Sequence, residues 1–216
     1  MASAEVSLLV GCFQGDAPGN PDDESENSSD EVEVTLKLHP LKQYCVEYKH
    51  EGTLSGTSKQ CIRNWGTESF TIENLKIGFG GITQDQNTHK IVIGKKVYNI
   101  DPEKMTGTVT DNPFYDTLSQ ADPEQLSQSM LNAMQLVDTG EDKQVAGAMC
   151  NIMQSSQVGS ACFTDDMVML EQDVMGVRQV ATSVDLSSGG SDSDYRLYEK
   201  ATITEGPDVG AILESL

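Results

Sequence analysis

Apolar side chains at every second position mark strands along much of the chain. Val32, Val34, Leu36 and Leu38 alternate with Glu31, Glu33, Thr35 and Lys37, the pattern of a half-buried strand over 32–38. Tyr44, Val46 and Tyr48 keep the same period up to Gly52. A returning strand is expected over 59–65, with Ile62 on one face. Another follows over 70–77, built on Phe70, Ile72 and Leu75. Residues 90–101 read as a hairpin, with Ile91 to Ile93, a turn at Gly94-Lys95-Lys96, and Val97 to Ile100.

The period changes at Asp122. An acidic N-cap, Pro123 at the first helical position and Glu124 in the first turn predict a helix start. Leu126, Met130, Ala133, Met134 and Val137 fall at spacings of three and four, so one apolar stripe runs to Val137 and Gly140 ends the helix. Strands are expected again over 144–154, 161–172 and 178–186. This order predicts an α+β, mainly β fold: a curled antiparallel sheet, or half-open barrel, packed on one principal helix. Met130, Met134, Met149, Met153, Met167, Met169 and Met175 all lie in the second half. Thioethers adapt to irregular apolar surfaces, so these residues suit either core packing or the lining of a lipid cavity.

Composition narrows the function classes. A chain of 216 residues with 37% hydrophobic content can bury one sizeable core. No run approaches the roughly 20 apolar residues of a membrane-spanning helix. The net charge of −20 argues against nucleic acid as a partner, because phosphate would be repelled. The charge is uneven. Residues 1–34 contain no Lys or Arg, while Asp22, Asp23, Glu24, Glu26, Asp30, Glu31 and Glu33 crowd among Ser, Asn, Gly and Pro. Such a segment buries too little apolar surface to offset its ordering entropy, so a mobile tether is expected. Residues 187–194 are expected to form a long exposed loop. Neither acidic stretch has the oxygen-ligand spacing of a calcium loop. The chain thus divides into a short leader region over 1–12, an acidic disordered tether over 13–33, and a single β-rich domain over 34–216.

Leu9-Val10-Gly11-Cys12 resembles the lipobox of bacterial lipoproteins, in which cleavage before the cysteine is followed by lipidation of its thiol. That resemblance implies a membrane anchor at Cys12, since each buried methylene contributes about 0.8 kcal/mol. Upstream, Met1 to Glu5 has no positive charge and only Val6 to Val10 is strongly apolar, shorter than a secretory signal. A start upstream of Met1, replacement of the natural start, or a chance cysteine in a tail would each account for that departure. Lipidation of Cys12 leaves Cys45, Cys61, Cys150 and Cys162, an even number. Cys45 and Cys61 flank a turn candidate at 52–56, and Cys150 and Cys162 flank one at 155–159. Local pairing within two hairpins is therefore expected, in an oxidising compartment. The alternative is four buried free thiols in a cytosolic protein.

Candidate catalytic and metal chemistry is thin. No CxxC pair occurs, and His39, His50 and His89 lie at no zinc-ligand spacing. The Gly78-Phe79-Gly80-Gly81 stretch lacks the Lys-Ser/Thr of a phosphate loop and reads as a bend between strands. No Gly-x-Ser-x-Gly elbow is present. Asp111-Asn112-Pro113 reads as a turn leading to a packed Phe114–Tyr115 pair. Asp165-Asp166 could serve a hydrolase, but adjacent acids are expected by chance among 34. Lys95-Lys96 forms a basic tip able to touch an anionic head group. No enzyme active site, cofactor or metal is expected.

Three further segments carry a resemblance. Residues 47–52 with Leu54-Ser55-Gly56 and Arg63-Asn64-Trp65-Gly66 resemble a hairpin of uncharacterised periplasmic proteins of lipoprotein-carrier (LolA/LolB-like) shape. Residues 93–101 look like their glycine, aromatic, aspartate hairpin, and residues 145–150 with Ala161-Cys162 and Ala181-Thr182-Ser183 are similar to a cysteine-stapled hairpin of relatives. The resemblance covers roughly 34–186. It implies a half-open barrel whose apolar concavity binds acyl chains in some members. A low aromatic content of 6% and the additional Cys45–Cys61 pair depart from that pattern. If a lipid or other hydrophobic ligand is the partner, Tyr98, Leu126, Met130 and Met134 are the residues implied to line its site. The alternative is an interaction module of the envelope whose core is filled by its own side chains.

Overall fold

The computed structural model describes residues 36–79, 82–113, 115–120, 122–157 and 159–207. Within them the chain forms β1 (Tyr44–Gly52), β2 (Leu54–Arg63), β3 (Glu68–Phe79), β4 (Ile82–Ile93), β5 (Lys96–Asp101) and β6 (Thr106–Asp111). The helices α1 (Tyr115–Leu118) and α2 (Pro123–Ala133) follow. Then come β7 (Val137–Val145), β8 (Ala148–Ser155), β9 (Gly159–Phe163), β10 (Met169–Val174), β11 (Val177–Asp185), α3 (Asp192–Tyr195) and β12 (Thr202–Glu205). These strands make one sheet in the order β12-β6-β5-β4-β3-β2-β1-β11-β10-β9-β8-β7. It is large, curled and unclosed, as expected from the alternation.

Two antiparallel meanders, β1 to β6 and β7 to β11, join where β1 pairs with β11. The parallel pair β12–β6 is the exception to antiparallel order. Successive side chains of a strand point to opposite faces, and central β1 has both faces buried. Tyr44, Val46 and Tyr48 enter a cluster with Ile62, Val145, Cys150, Cys162, Val168 and Leu170. Cys45 enters a second cluster with Cys61, Phe70, Ile91, Ile100 and Tyr195.

The second cluster is closed by the segment after β11. Ser191 caps α3 by accepting from the Asp194 N–H. Tyr195 is fully buried, meets Phe70 edge-on with centroids 4.9 Å apart, and donates its hydroxyl to the Gly189 carbonyl at 2.8 Å. Gly190 has φ +84°, and a β-carbon there would stand 2.7 Å from the Phe70 ring and 3.0 Å from the Cys61 sulfur. Only glycine combines that backbone with that close approach. Residues 187–194 are therefore not simply a loop in solvent, because tertiary packing draws their glycine onto the sheet.

Other expectations are corrected. Residues 36–43 are not a strand; the Leu38 and His39 N–H groups both donate to the Trp65 carbonyl, at 2.8 and 3.0 Å. The part of that predicted strand before residue 36 lies outside the described residues. The helix begins as expected, with the Asp122 carboxylate accepting from the Gln125 N–H at 3.2 Å. It ends at Ala133, before Gln135 at φ 53°. Its most buried side chain is Leu131, at 5% exposure, whereas Ala133 is exposed and Val137 begins an exposed strand. The strand expected over 144–154 is split by a turn at Ala146-Gly147, both at positive φ. The strand over 161–172 is broken between Phe163 and Met169 by a turn in which the Met167 N–H donates to the Thr164 carbonyl. Phe114 and the centre of the 78–81 bend lie outside the described residues; Tyr115 opens α1.

Candidate functional sites

Both expected disulfides are present. Cys45 and Cys61 face each other directly across β1 and β2, with Cα atoms 4.1 Å apart. Cys150 and Cys162 join β8 to β9 on a diagonal, because Cys162 sits opposite Ile152; their Cα atoms are 5.4 Å apart. All four are buried in the two clusters. Cys12 lies outside the described residues.

The residues implied to line a ligand site are spread over different elements. Tyr98 on β5 stacks on Tyr198 at 4.3 Å and packs in the second cluster beside Ile93, Leu197 and Ile203. Leu126 and Met134 are half-buried, on α2 and just beyond its end, and the side chain of Met130 lies outside the described set. Two depressions stand out. One, of about 270 Å³, is lined by Pro40, Ser127, Gln128, Leu131, Asp165, Asp166 and Met167. The other, of about 320 Å³, is lined by Glu47, Tyr48, Thr57, Ser58, Lys59, Ile72, Asn74 and Thr182. Neither has Tyr98, Leu126 or Met134 in its wall. Both walls mix polar and apolar side chains, unlike the predominantly apolar lining that suits an acyl chain.

One pair has a catalytic look. His50 Nε2 and Ser58 Oγ lie 2.8 Å apart, with each residue 7% exposed. A nucleophilic serine needs its histidine oriented through the other ring nitrogen. His50 Nδ1 is buried without a hydrogen-bond partner. Burial lowers the His50 pKa, which keeps the ring neutral. Glu73, opposite Ser58 on β3, has its pKa raised by burial, partly opposed by Lys90. Among the described residues no carboxylate orients this histidine, and the pair acts to satisfy the serine hydroxyl. Asp165 accepts from the Asn151 amide at 3.0 Å.

The most concentrated charge lies elsewhere. The Glu171 side chain is only 13% exposed, yet it receives Lys143 from β7 and Arg178 from β11, the latter at 3.0 Å. Burial alone would raise its pKa. The two cations overcome that and hold it below the usual carboxylate range. This network ties three strands of the second meander. Sequence reading missed it because the partners are 28 and 7 residues apart and meet only through the sheet order.

No family model matches the chain, and no curated protein matches it. Among solved structures it is similar to an uncharacterized conserved protein from Thermus thermophilus, with TM-score 0.48 and 7% identity over 77% of this chain and 93% of that one. It is also similar to MucB, with TM-score 0.40 and 11% identity over 79% of this chain and 62% of that one. A third is LprF from Mycobacterium bovis, with TM-score 0.36 and 10% identity over 75% and 93%. At these values the likenesses carry no argument about activity.

Proposed function

We propose that the chain is an extracytoplasmic domain of the bacterial cell envelope, carried on a lipidated Cys12, that performs no catalysis and works through surface contacts. The observation that supports this reading most is the pairing of Cys45 with Cys61 and of Cys150 with Cys162 inside two buried clusters. Disulfides persist where glutathione and thioredoxin do not reduce them, outside the cytosol. The anchor rests on the lipobox resemblance of residues 9–12. Filled clusters favour an interaction module over a carrier, because Tyr198 stacks on Tyr98, where an apolar ligand would have to lie, and Leu197 and Ile203 pack on the same cluster.

The test is phase partitioning. Expressed behind a functional export signal, the protein should enter the detergent phase, and a Cys12→Ser variant should move to the aqueous phase. Equal partitioning of the two removes the anchor from this reading.

A hydrophobic-ligand reading is favoured by one observation. The apolar patch of Phe70, Ile91 and Ile100 is covered in part by a segment outside the main strands, around Gly190 and Tyr195. Lifting that segment would open an apolar surface. Mass spectrometry of the natively extracted domain decides between the two. Stoichiometric copurified lipid supports the ligand reading, and protein free of lipid supports the interaction module.

A further inference from the structure

Trp65 is the single tryptophan of the chain and sits at an end of the sheet, in the connection between β2 and β3. Asn64 and Trp65 have φ 52° and 53°, the left-handed region that non-glycine residues avoid. The segment before β1 holds them there. The Trp65 N–H donates to the Lys42 carbonyl at 2.9 Å, and its carbonyl accepts from Leu38 and His39. The same segment supplies Lys37 and Lys42, whose Nζ atoms lie 5.2 and 5.3 Å from the indole centroid. Both lysines are exposed and the indole is half-buried.

What marks this place is that two lysines meet at one ring in a chain poor in cations. The chain has 14 Lys and Arg against 34 Asp and Glu. The other basic tip is neutralised, since Lys95 pairs with Asp116 at 2.6 Å and Lys96 with Asp111 at 2.7 Å. Near Trp65 it is the acids that are taken. Arg63 holds Glu68 at 2.6 Å and Asp192 at 2.5 Å, and Asn64 donates to Glu68. Lys37 and Lys42 form no ion pair among the described residues. Two ammonium groups without an ion pair among the described residues flank one amphipathic ring, and a strained backbone fixes the ring in place.

From this juxtaposition we infer that Trp65, Lys37 and Lys42 form a contact site for an anionic lipid headgroup layer. Indole rings favour the headgroup level of a bilayer, and lysines near a surface are drawn to anionic lipid. The place in the chain agrees. If Cys12 is lipidated, as the proposed function holds, 23 residues separate the anchor from Leu36. A fully extended segment of that length spans about 80 Å, so its length allows the patch to meet the surface that holds the anchor. The remaining negative charge acts weakly over distance, because the Debye length is about 8 Å at physiological ionic strength.

The full chain with Cys12→Ser, which carries no acyl group, provides the test, and Trp65 is its own reporter. Vesicles of equal parts phosphatidylglycerol and phosphatidylcholine should shift its emission to the blue at physiological ionic strength, where the rest of the chain's charge is screened, while vesicles of phosphatidylcholine alone should not. Partitioning should weaken about 30-fold in the Lys37→Gln/Lys42→Gln double variant, from roughly fivefold or slightly more per lysine. The Lys37→Arg/Lys42→Arg variant should retain it. The site is overturned by an absent shift on anionic vesicles, by equal binding to neutral ones, or by a glutamine variant that binds as well as the parent. Competition by inorganic phosphate alone would also overturn it, by showing a free-anion site. Failure here leaves the partitioning of acylated protein untouched, so it is distinguishable from failure of the anchor.

Discussion

His50 and His89 are 7% and 4% exposed, and one ring nitrogen of each is buried without a partner. His89 lies edge-on to Phe70 at 5.6 Å. Burial lowers both pKa values from 6.5, opposed at His89 by nearby Asp194. Burial also lowers that of His39, against backbone hydrogen bonds and Asp166. The sign follows from linkage. A histidine whose folded pKa is depressed binds fewer protons in the native state than in the unfolded state just below pH 6.5. Its contribution is complete above pH 6.5 and falls as pH drops toward the folded value. The carboxylates with depressed values, Glu171 among them, lose theirs only below about 4.5, the ordinary carboxylate value. Urea unfolding should therefore show a falling midpoint between pH 7 and pH 5, a window above the range in which those carboxylates titrate. A His89→Phe variant should have a flatter profile there. A profile as steep as the parent's would show that His89 is not among the groups responsible.

Each disulfide closes a hairpin, at sequence separations of 16 and 12. The chain-entropy model assigns about 3 kcal/mol to loops of this size. Replacing Cys150 and Cys162 together by alanine should cost about that much, read from the urea midpoint at unchanged slope. A loss well under about 1 kcal/mol would mean that strand pairing and the Lys143–Glu171–Arg178 network already restrain this region. The same hairpins show what can be read from residues alone. β1 and the 90–101 hairpin were legible because one face of each is apolar at period two and glycines mark the turns. β4 was legible only at its end, since Thr83 to Thr88 is polar on both faces and is a strand because β3 pairs with it throughout. Val137 misled because it continues the spacing of Met134. Nothing apolar distinguishes a helix from a strand there, and the break comes from a left-handed Gln135.

At the scale of the molecule, the disulfides were legible because their partners are local in sequence. The closing segment and the Trp65 patch were not, because they are tertiary. Gly190 meets Phe70 from far along the chain, and Lys37 reaches Trp65 only when 36–43 leaves the strand pattern that its alternation suggested. A lone Trp beside Leu36-Lys37-Leu38-His39-Pro40-Leu41-Lys42 was the available signal. The net charge of −20 gives these features opposite dependences on salt. Self-repulsion of a highly charged chain destabilises its compact state, and screening relieves it. Raising NaCl from about 0.05 to about 0.5 M shortens the Debye length from about 14 to about 4 Å. The melting temperature should therefore rise over that range, since relief of the self-repulsion of the whole chain outweighs the weakening of its few ion pairs, in which even the buried Glu171 meets cations that are themselves exposed. Attraction of Lys37 and Lys42 to anionic vesicles acts across water and should fall over the same range. Measuring both on one sample separates the two. If vesicle binding rose with salt alongside the melting temperature, screening of the whole chain's repulsion or an apolar contact would outweigh the two lysines, and they would not be what holds it.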